Sequence, residues 1–189
     1  MGTIGDDFGF YSNGNTKFRI NSTTGAATFA SSVTATEGNF SGLVTISNRL
    51  DLNDSGNNTF IGKEAGIANT TGNNNVASGH QSLFNNTTGG RNVAYGLQSL
   101  YNNIGGGYNT ASGYQSLFNN TTGSNNVALG LQSLLKNIGG NNNTALGFES
   151  LSNNIEGQGN IASGFRSLYE NTTGDHNIAS GYNAGTNTI

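Results

Sequence analysis

The apolar and polar positions of this chain recur on a seventeen-residue beat, far longer than the period of two for a strand or 3.6 for a helix. The pattern Asn-x-Ala-x-Gly starts at Asn58, Asn75, Asn92, Asn109, Asn126, Asn143, Asn160 and Asn177, a constant spacing of 17 over eight copies. A matching glycine follows in each copy from Gly62 to Gly181, and a second glycine column runs from Gly72 to Gly174. The residue after each asparagine is always β-branched (Thr59, Val76, Val93, Thr110, Val127, Thr144, Ile161, Ile178), which is strand chemistry. Alanine comes next in every copy but the first, where Phe60 stands, and a position held that small implies close approach of another backbone. A leucine column, Leu83, Leu100, Leu117, Leu134, Leu151 and Leu168, is assigned to the core. Beside it runs a bulky column, Phe84, Tyr101, Phe118, Leu135 and Tyr169, interrupted by Ser152. Leu131-Gln132-Ser133-Leu134-Leu135 places apolar residues at i, i+3 and i+4, the spacing of one helical turn. The Asn-Thr-Thr-Gly and Asn-Ile-Gly-Gly segments read as turns.

A short constant period with one strand and two glycines describes a solenoid coil. The predicted fold is therefore all-β, a parallel β-solenoid or β-roll of 17-residue coils with short helical turns, over residues 58–189. Equivalent asparagines should stack and hydrogen-bond from coil to coil, which makes Asn75, Asn92, Asn109, Asn126, Asn143, Asn160 and Asn177 a structural ladder. The end copies differ, with Ala65-Gly66 and Ala184-Gly185 where inner copies have Ser-Leu, as expected where a stack stops. Four or five apolar side chains per coil make a thin core. Either many coils cooperate or several chains share one core, and three intertwined chains are the simplest fibre arrangement, a homotrimer.

Residues 1–57 lack the period. Alternating stretches, Thr16-Lys17-Phe18-Arg19-Ile20, Ala27-Thr28-Phe29 and Asn39-Phe40-Ser41-Gly42-Leu43-Val44-Thr45-Ile46, read as short strands. The turn groups between them are Tyr11-Ser12-Asn13-Gly14-Asn15, with its tight-turn Asn-Gly pair, and Asn21-Ser22-Thr23-Thr24-Gly25. This reads as a β-hairpin neck that intertwines with its neighbours.

Composition sharpens the picture. Only 9% of residues are charged, 33% are hydrophobic, 30 are glycine and none is proline or cysteine. Exclusion of proline fits a backbone whose N–H groups are used throughout, and the lack of cysteine excludes disulfides and thiolate metal sites. The net charge of −3 opposes a nucleic-acid partner, and no apolar run is long enough to insert in a membrane. The amino terminus, Met1-Gly2-Thr3-Ile4-Gly5-Asp6-Asp7, has neither the basic nor the apolar region of a secretory signal, and it reads equally well as the start of a piece of a longer chain.

Two families are brought in by particular residues. Asn125-Asn126-Val127-Ala128-Leu129-Gly130 and Asn142-Asn143-Thr144-Ala145-Leu146-Gly147 resemble the repeat of YadA-like trimeric autotransporter heads, although the period here is longer. Phe18-Arg19-Ile20-Asn21-Ser22-Thr23-Thr24-Gly25 and Thr34-Ala35-Thr36-Glu37-Gly38-Asn39-Phe40-Ser41-Gly42 resemble shafts of bacteriophage tail fibres. The resemblance to tail fibres implies a structural protein of the virion tail fibre that attaches to a bacterial surface glycan or outer-membrane protein. The alternative is a trimeric autotransporter adhesin at the bacterial cell surface.

No enzymatic constellation is visible, and no cofactor is expected. Asp51 and Asp54 are the only acids close together within strand-like sequence, and nothing beside them supplies a base or metal ligand. His80 and His176 occupy different columns, short of the convergent ligands a metal needs. Asn-x-Thr triplets such as Asn86-Thr87-Thr88 and Asn120-Thr121-Thr122 formally fit glycan acceptors, but turn residues repeated by the period explain them better. A threonine column that becomes Gly105, Gly139 and Glu156 is too broken for ice binding. The candidate binding residues are Tyr95, Tyr108, Tyr114, Tyr182, His80 and His176, with Arg91, in columns where copies differ. They read either as saccharide contacts through ring faces and polar tips or as packing at the coil edges.

Overall fold

In this computed structural model, residues 56–186 are described in full, together with the backbone of four strands before them. The chain divides into two compact units, Met1–Arg49 and Leu50–Ile189.

The first unit holds an antiparallel sheet in chain order, β1 (Gly2–Ile4), β2 (Asp7–Ser12), β3 (Asn15–Ile20) and β4 (Ala27–Phe29). β3 and β4 lie where alternation placed them. Ser12 pairs with Asn15 and Tyr11 with Thr16, which leaves the Asn13-Gly14 pair between the two strands. Such two-residue Asn-Gly connections match the twist of flanking strands. β2 was not anticipated, and a register shift at Phe10/Tyr11 interrupts its pairing. The strand expected over residues 39–46 lies outside the described residues.

The second unit is the solenoid. Eight strands, β5 (Thr59–Ile61), β6 (Val76–Ser78), β7 (Val93–Tyr95), β8 (Thr110–Ser112), β9 (Val127–Leu129), β10 (Thr144–Leu146), β11 (Ile161–Ser163) and β12 (Ile178–Ser180), form one parallel sheet in chain order. Every neighbouring pair is offset by one repeat, as in Thr110↔Val127 and Ala111↔Ala128. The seventeen-residue unit is thus one coil, rising about 4.8 Å. Outside the strands the coils remain laddered: Gly66 N–H donates to Ser82 O (3.0 Å), Thr70 N–H to Thr87 O (3.0 Å) and Gln81 N–H to Lys63 O (2.9 Å).

Each inner coil encloses one alanine and one leucine, and Ala77 through Ala162 and Leu83 through Leu168 are fully buried within the single chain. The first copy exchanges these sizes. Phe60 replaces the alanine, Gly66 replaces the leucine, and a Cβ on Gly66 would lie 2.6 Å from the Phe60 ring, so the aromatic fills the space the leucine leaves. The last copy is small at both positions, and Gly185 settles directly over Leu168, where a Cβ would meet Leu168 Cδ2 at 2.8 Å.

The expected helical turn is not formed, and no helix occurs among the described residues. Gln132 and Leu134 have φ of 55° and 52°, in the left-handed region. The cause is the ladder: Gln132 N–H donates backward to Tyr114 O (2.9 Å) and Leu134 N–H forward to Ser150 O (3.0 Å), which a right-handed helix would turn inward on itself. The apolar i, i+3, i+4 spacing here records one buried leucine, Leu134, between the exposed Leu131 and the half-buried Leu135.

The asparagine ladder forms, with a geometry of its own. Its Oδ1 atoms accept chiefly from the next asparagine's backbone, as in Asn92 N–H to Asn75 Oδ1 (2.9 Å). The Nδ2 groups donate to the second glycine column, as in Asn75 to Gly89 O (2.9 Å). A second, unanticipated ladder runs through Asn69, Asn86, Asn103, Asn120, Asn137, Asn154 and Asn171, within segments read as turns. Here amide bonds amide directly: Asn103 Nδ2 donates to Asn86 Oδ1 (2.7 Å) and Asn120 Nδ2 to Asn103 Oδ1 (2.8 Å). Asn86, Asn120 and Asn171 are fully buried, which removes them as glycan acceptors. At the last rung, the buried Asn171 Oδ1 has no partner.

These bonds make a ranked prediction. Asn120→Ala removes bonds to Asn103, Gly123 and Asn137 and strands buried groups worth about 1–3 kcal/mol each. Its loss should be at least about 3 kcal/mol, and Asn171→Ala, at the end of the ladder, should lose less. Denaturant unfolding of both variants checks this, and equal losses contradict it.

Candidate functional surface

The strands carry alternate residues inward and outward, so each coil presents two outward strand positions, followed by the glycine corner and then one further exposed residue. At the corner, Gly113 has a φ of +138° and a Cβ would lie 2.5 Å from Gly130 O, so no other residue fits. Tyr95 belongs to the third strand position, whose column reads Ile61, Ser78, Tyr95, Ser112, Leu129, Leu146, Ser163, Ser180. His80, Tyr114 and Tyr182 share the column just past the corner, with Lys63, Leu97, Leu131, Phe148 and Phe165. Tyr108 and His176 share a third column with Arg91, immediately before the ladder asparagines and with positive φ. The six candidates therefore fall into three columns. Four of them lie on the outer sheet face or its rim, and Tyr108 and His176 lie at the opposite edge of the strands.

The environment of each ring limits what it can bind. Phe148, Phe165 and Tyr182 stack with centroids 5.2 and 5.0 Å apart and planes within 7° of parallel. The spacing is the coil rise, so the ring faces are consumed by neighbours along the axis and the edges point outward. Phe148 and Tyr182 end the stack, and Tyr182 is 75% exposed. Tyr95, 48% exposed, has serines above and below it in its column. Tyr108 carries the Arg91 guanidinium 5.2 Å from its ring centroid, a cation–π contact. His80 Nε2 lies 3.9 Å from Glu64 Oε2.

The bulky column beside the leucines stacks likewise, with Phe84, Tyr101 and Phe118 at 5.0 Å intervals. Past it lies a groove of about 670 Å³, whose wall of Asn85, Asn102 and Asn119 faces Ile104 and Ile138, with Lys136 near one end. Sequence reading missed this groove because its residues lie in segments classed as turns. Ile104 and Ile138, exposed apolar residues standing where other copies have threonine, are the signal that marks it. The threonine hydroxyls in that column are occupied, Thr87 Oγ1 donating to Ile104 O (3.1 Å) and Thr121 Oγ1 to Ile138 O (3.2 Å).

A glutamine column links coils in the same manner, Gln98 to Gln81 and Gln115 to Gln98, both at 3.0 Å. It ends in an ion pair, Arg166 Nε to Glu149 Oε2 at 2.5 Å. That hydrogen bond is the main cause of the raised pKa of Arg166, against the opposing effect of desolvation. No group of three or more His, Cys, Asp or Glu among the described residues is placed to hold a metal. No helix among them is long and apolar enough to cross a membrane. The geometry can offer ring edges, amides and aliphatic side chains repeated at the coil spacing.

Fold and surface together define a parallel β-solenoid with a constant interior and variable outer columns. No family model, curated protein or solved structure matches the chain.

The stacked and unstacked rings should differ in their effect on stability. Tyr101→Ala removes two stacking contacts worth about 0.5–1.5 kcal/mol each beyond buried area, whereas Tyr108→Ala, outside any aromatic stack, should stay within about 0.5 kcal/mol of the parent. Thermal melts followed by circular dichroism compare them.

Proposed function

We propose that this chain is a structural attachment protein, part of a bacteriophage tail fibre, whose stacked coils form a stiff shaft or tip that meets a glycan or outer-membrane protein on a bacterial surface. The observation that carries the reading is the division of labour within each copy. Asparagine, alanine, leucine and glycine columns hold the interior, and the outward columns change from copy to copy. A scaffold of this kind lets surface side chains diversify without cost to the fold, which suits recognition of a changing cell surface. On this reading the protein resides in the virion and acts without cofactor or chemical step. A trimeric assembly belongs to the same reading. The autotransporter alternative rests on the strand-and-glycine segment alone, which is a smaller part of each copy.

Labelled protein should bind saturably to cells of a subset of bacterial strains, and stripping surface polysaccharide or proteolysing outer-membrane proteins should identify the receptor class. Tyr108→Ala, remote from the core, should lower that binding at least several-fold while leaving the melting curve unchanged. Absence of binding to any strain in a broad panel overturns the reading.

A further inference from the structure

From the outer sheet face we infer that this surface is an interface between copies of this chain. The face comprises the first and third strand columns and the column past the glycine corner. From Val76 to Tyr182 these three columns over seven copies give 21 positions, and none is Asp, Glu, Lys or Arg. The other charges of these seven coils, Arg91, Lys136, Glu149, Glu156, Arg166, Glu170 and Asp175, all occupy other columns, and the first copy alone puts a charge on the face, at Lys63. Of the 15 large hydrophobic residues that are exposed among the described residues, 10 belong to these seven copies of the face, among them Tyr95, Leu129, Leu131, Leu146, Phe148 and Ile161.

Bulk on the face is shifted between columns rather than lost. Where the third strand position is serine (Ser78, Ser112, Ser163, Ser180), the residue past the corner is a ring (His80, Tyr114, Phe165, Tyr182). Where the strand position is Tyr95 or Leu129, that residue is a leucine, Leu97 or Leu131. Leu146 and Phe148 are large at both positions, so every one of these coils presents at least one bulky side chain on the face, as packing against another sheet requires.

Size agrees. Four residues of strand rise by about 13 Å and six coil steps by about 29 Å, a footprint near 400 Å². Apolar patches of about this size are the largest found on ordinary monomers and are often functional. Protruding Leu, Phe and Tyr side chains add accessible area toward the ~800 Å² per partner of a stable interface. A saccharide is a poorer occupant here, because sugars stack on ring faces and the Phe148–Phe165–Tyr182 rings offer edges. A second copy presents the same apolar, period-matched surface, uncharged over these seven coils. The inference stands on the exposure and charge of this face, independently of what the protein attaches to.

The chain has no cysteine, so single introduced thiols each report on one position. Leu129 sits in the fifth of eight strands, so two copies packed through this face bring their own position 129 to within about one coil rise, ~4.8 Å along the axis, whether parallel or antiparallel. Leu129→Cys in the full chain should be cross-linked between copies by a short bismaleimide at micromolar protein, and Ile138→Cys, in the groove, should not. Sedimentation velocity of the unaltered chain should show a multimer. A monomer at these concentrations, no cross-linking at position 129, or equal cross-linking at position 138 overturns the inference.

Discussion

The solenoid depends on a single recurrent acceptor, the carbonyl of the second glycine column. Gly106 O accepts from Asn92 Nδ2 and from Asn103 Nδ2, both at 2.9 Å. Gly123 O accepts in the same way from Asn109 and Asn120. Each such carbonyl joins the two buried asparagine ladders at the point where one coil passes into the next. The glycine is obligatory, since a Cβ on Gly106 would lie 2.3 Å from Gly123 O and 2.6 Å from Asn103 Oδ1. Because buried polar groups cost free energy whenever a partner is missing, inserting or deleting one residue in a coil would orphan a set of amides at once. The unbroken period of 17 follows from that penalty.

This interior differs from an ordinary hydrophobic core. An inner coil buries one leucine and one alanine, beside two asparagines and a serine. Apolar burial alone is modest, about 1.5–3 kcal/mol for a leucine, and ordering each residue costs about 1–2 kcal/mol of backbone entropy. Cooperation between coils, through backbone ladders on every side and amide columns within, makes up what the thin core lacks. The thin core had argued for sharing between chains. Its full closure within one chain moves any contact between copies to the outside of the coil, where the uncharged columns lie.

The period, the strands after each ladder asparagine and the buried alanine and leucine columns were all legible, because stacking forces equivalent positions into equivalent environments. The second asparagine ladder was not. Asn86 and Asn120 sit in Asn-Thr-Thr-Gly, whose local chemistry is that of a turn, and nothing local distinguishes a turn amide facing water from one facing the next coil. The helical turn expected around Leu134 failed for a related reason: its spacing is right for a helix, but long-range backbone bonds to the coils on either side impose left-handed φ at Gln132 and Leu134. Among the candidate surface residues the columns could be counted, yet which ring faces remain free depends on neighbours one coil away.

That last point bears on what such a surface can recognise. Aromatic residues placed in one column at a rise of about 4.8 Å stack on each other and withdraw their faces from ligands, so enriching a column in rings makes it a packing strip. Rings separated by small residues, as Tyr95 is by Ser78 and Ser112, keep their faces. Tyr108 carries Arg91 over its ring instead of another aromatic. The same seventeen-residue scaffold therefore yields two kinds of outer column, according to whether bulky residues run consecutively or alternate with small ones. A stretch such as Leu146-Gly147-Phe148 through Gly181-Tyr182 is built to be covered, and an isolated ring outside that face, such as Tyr108, is built to touch something smaller.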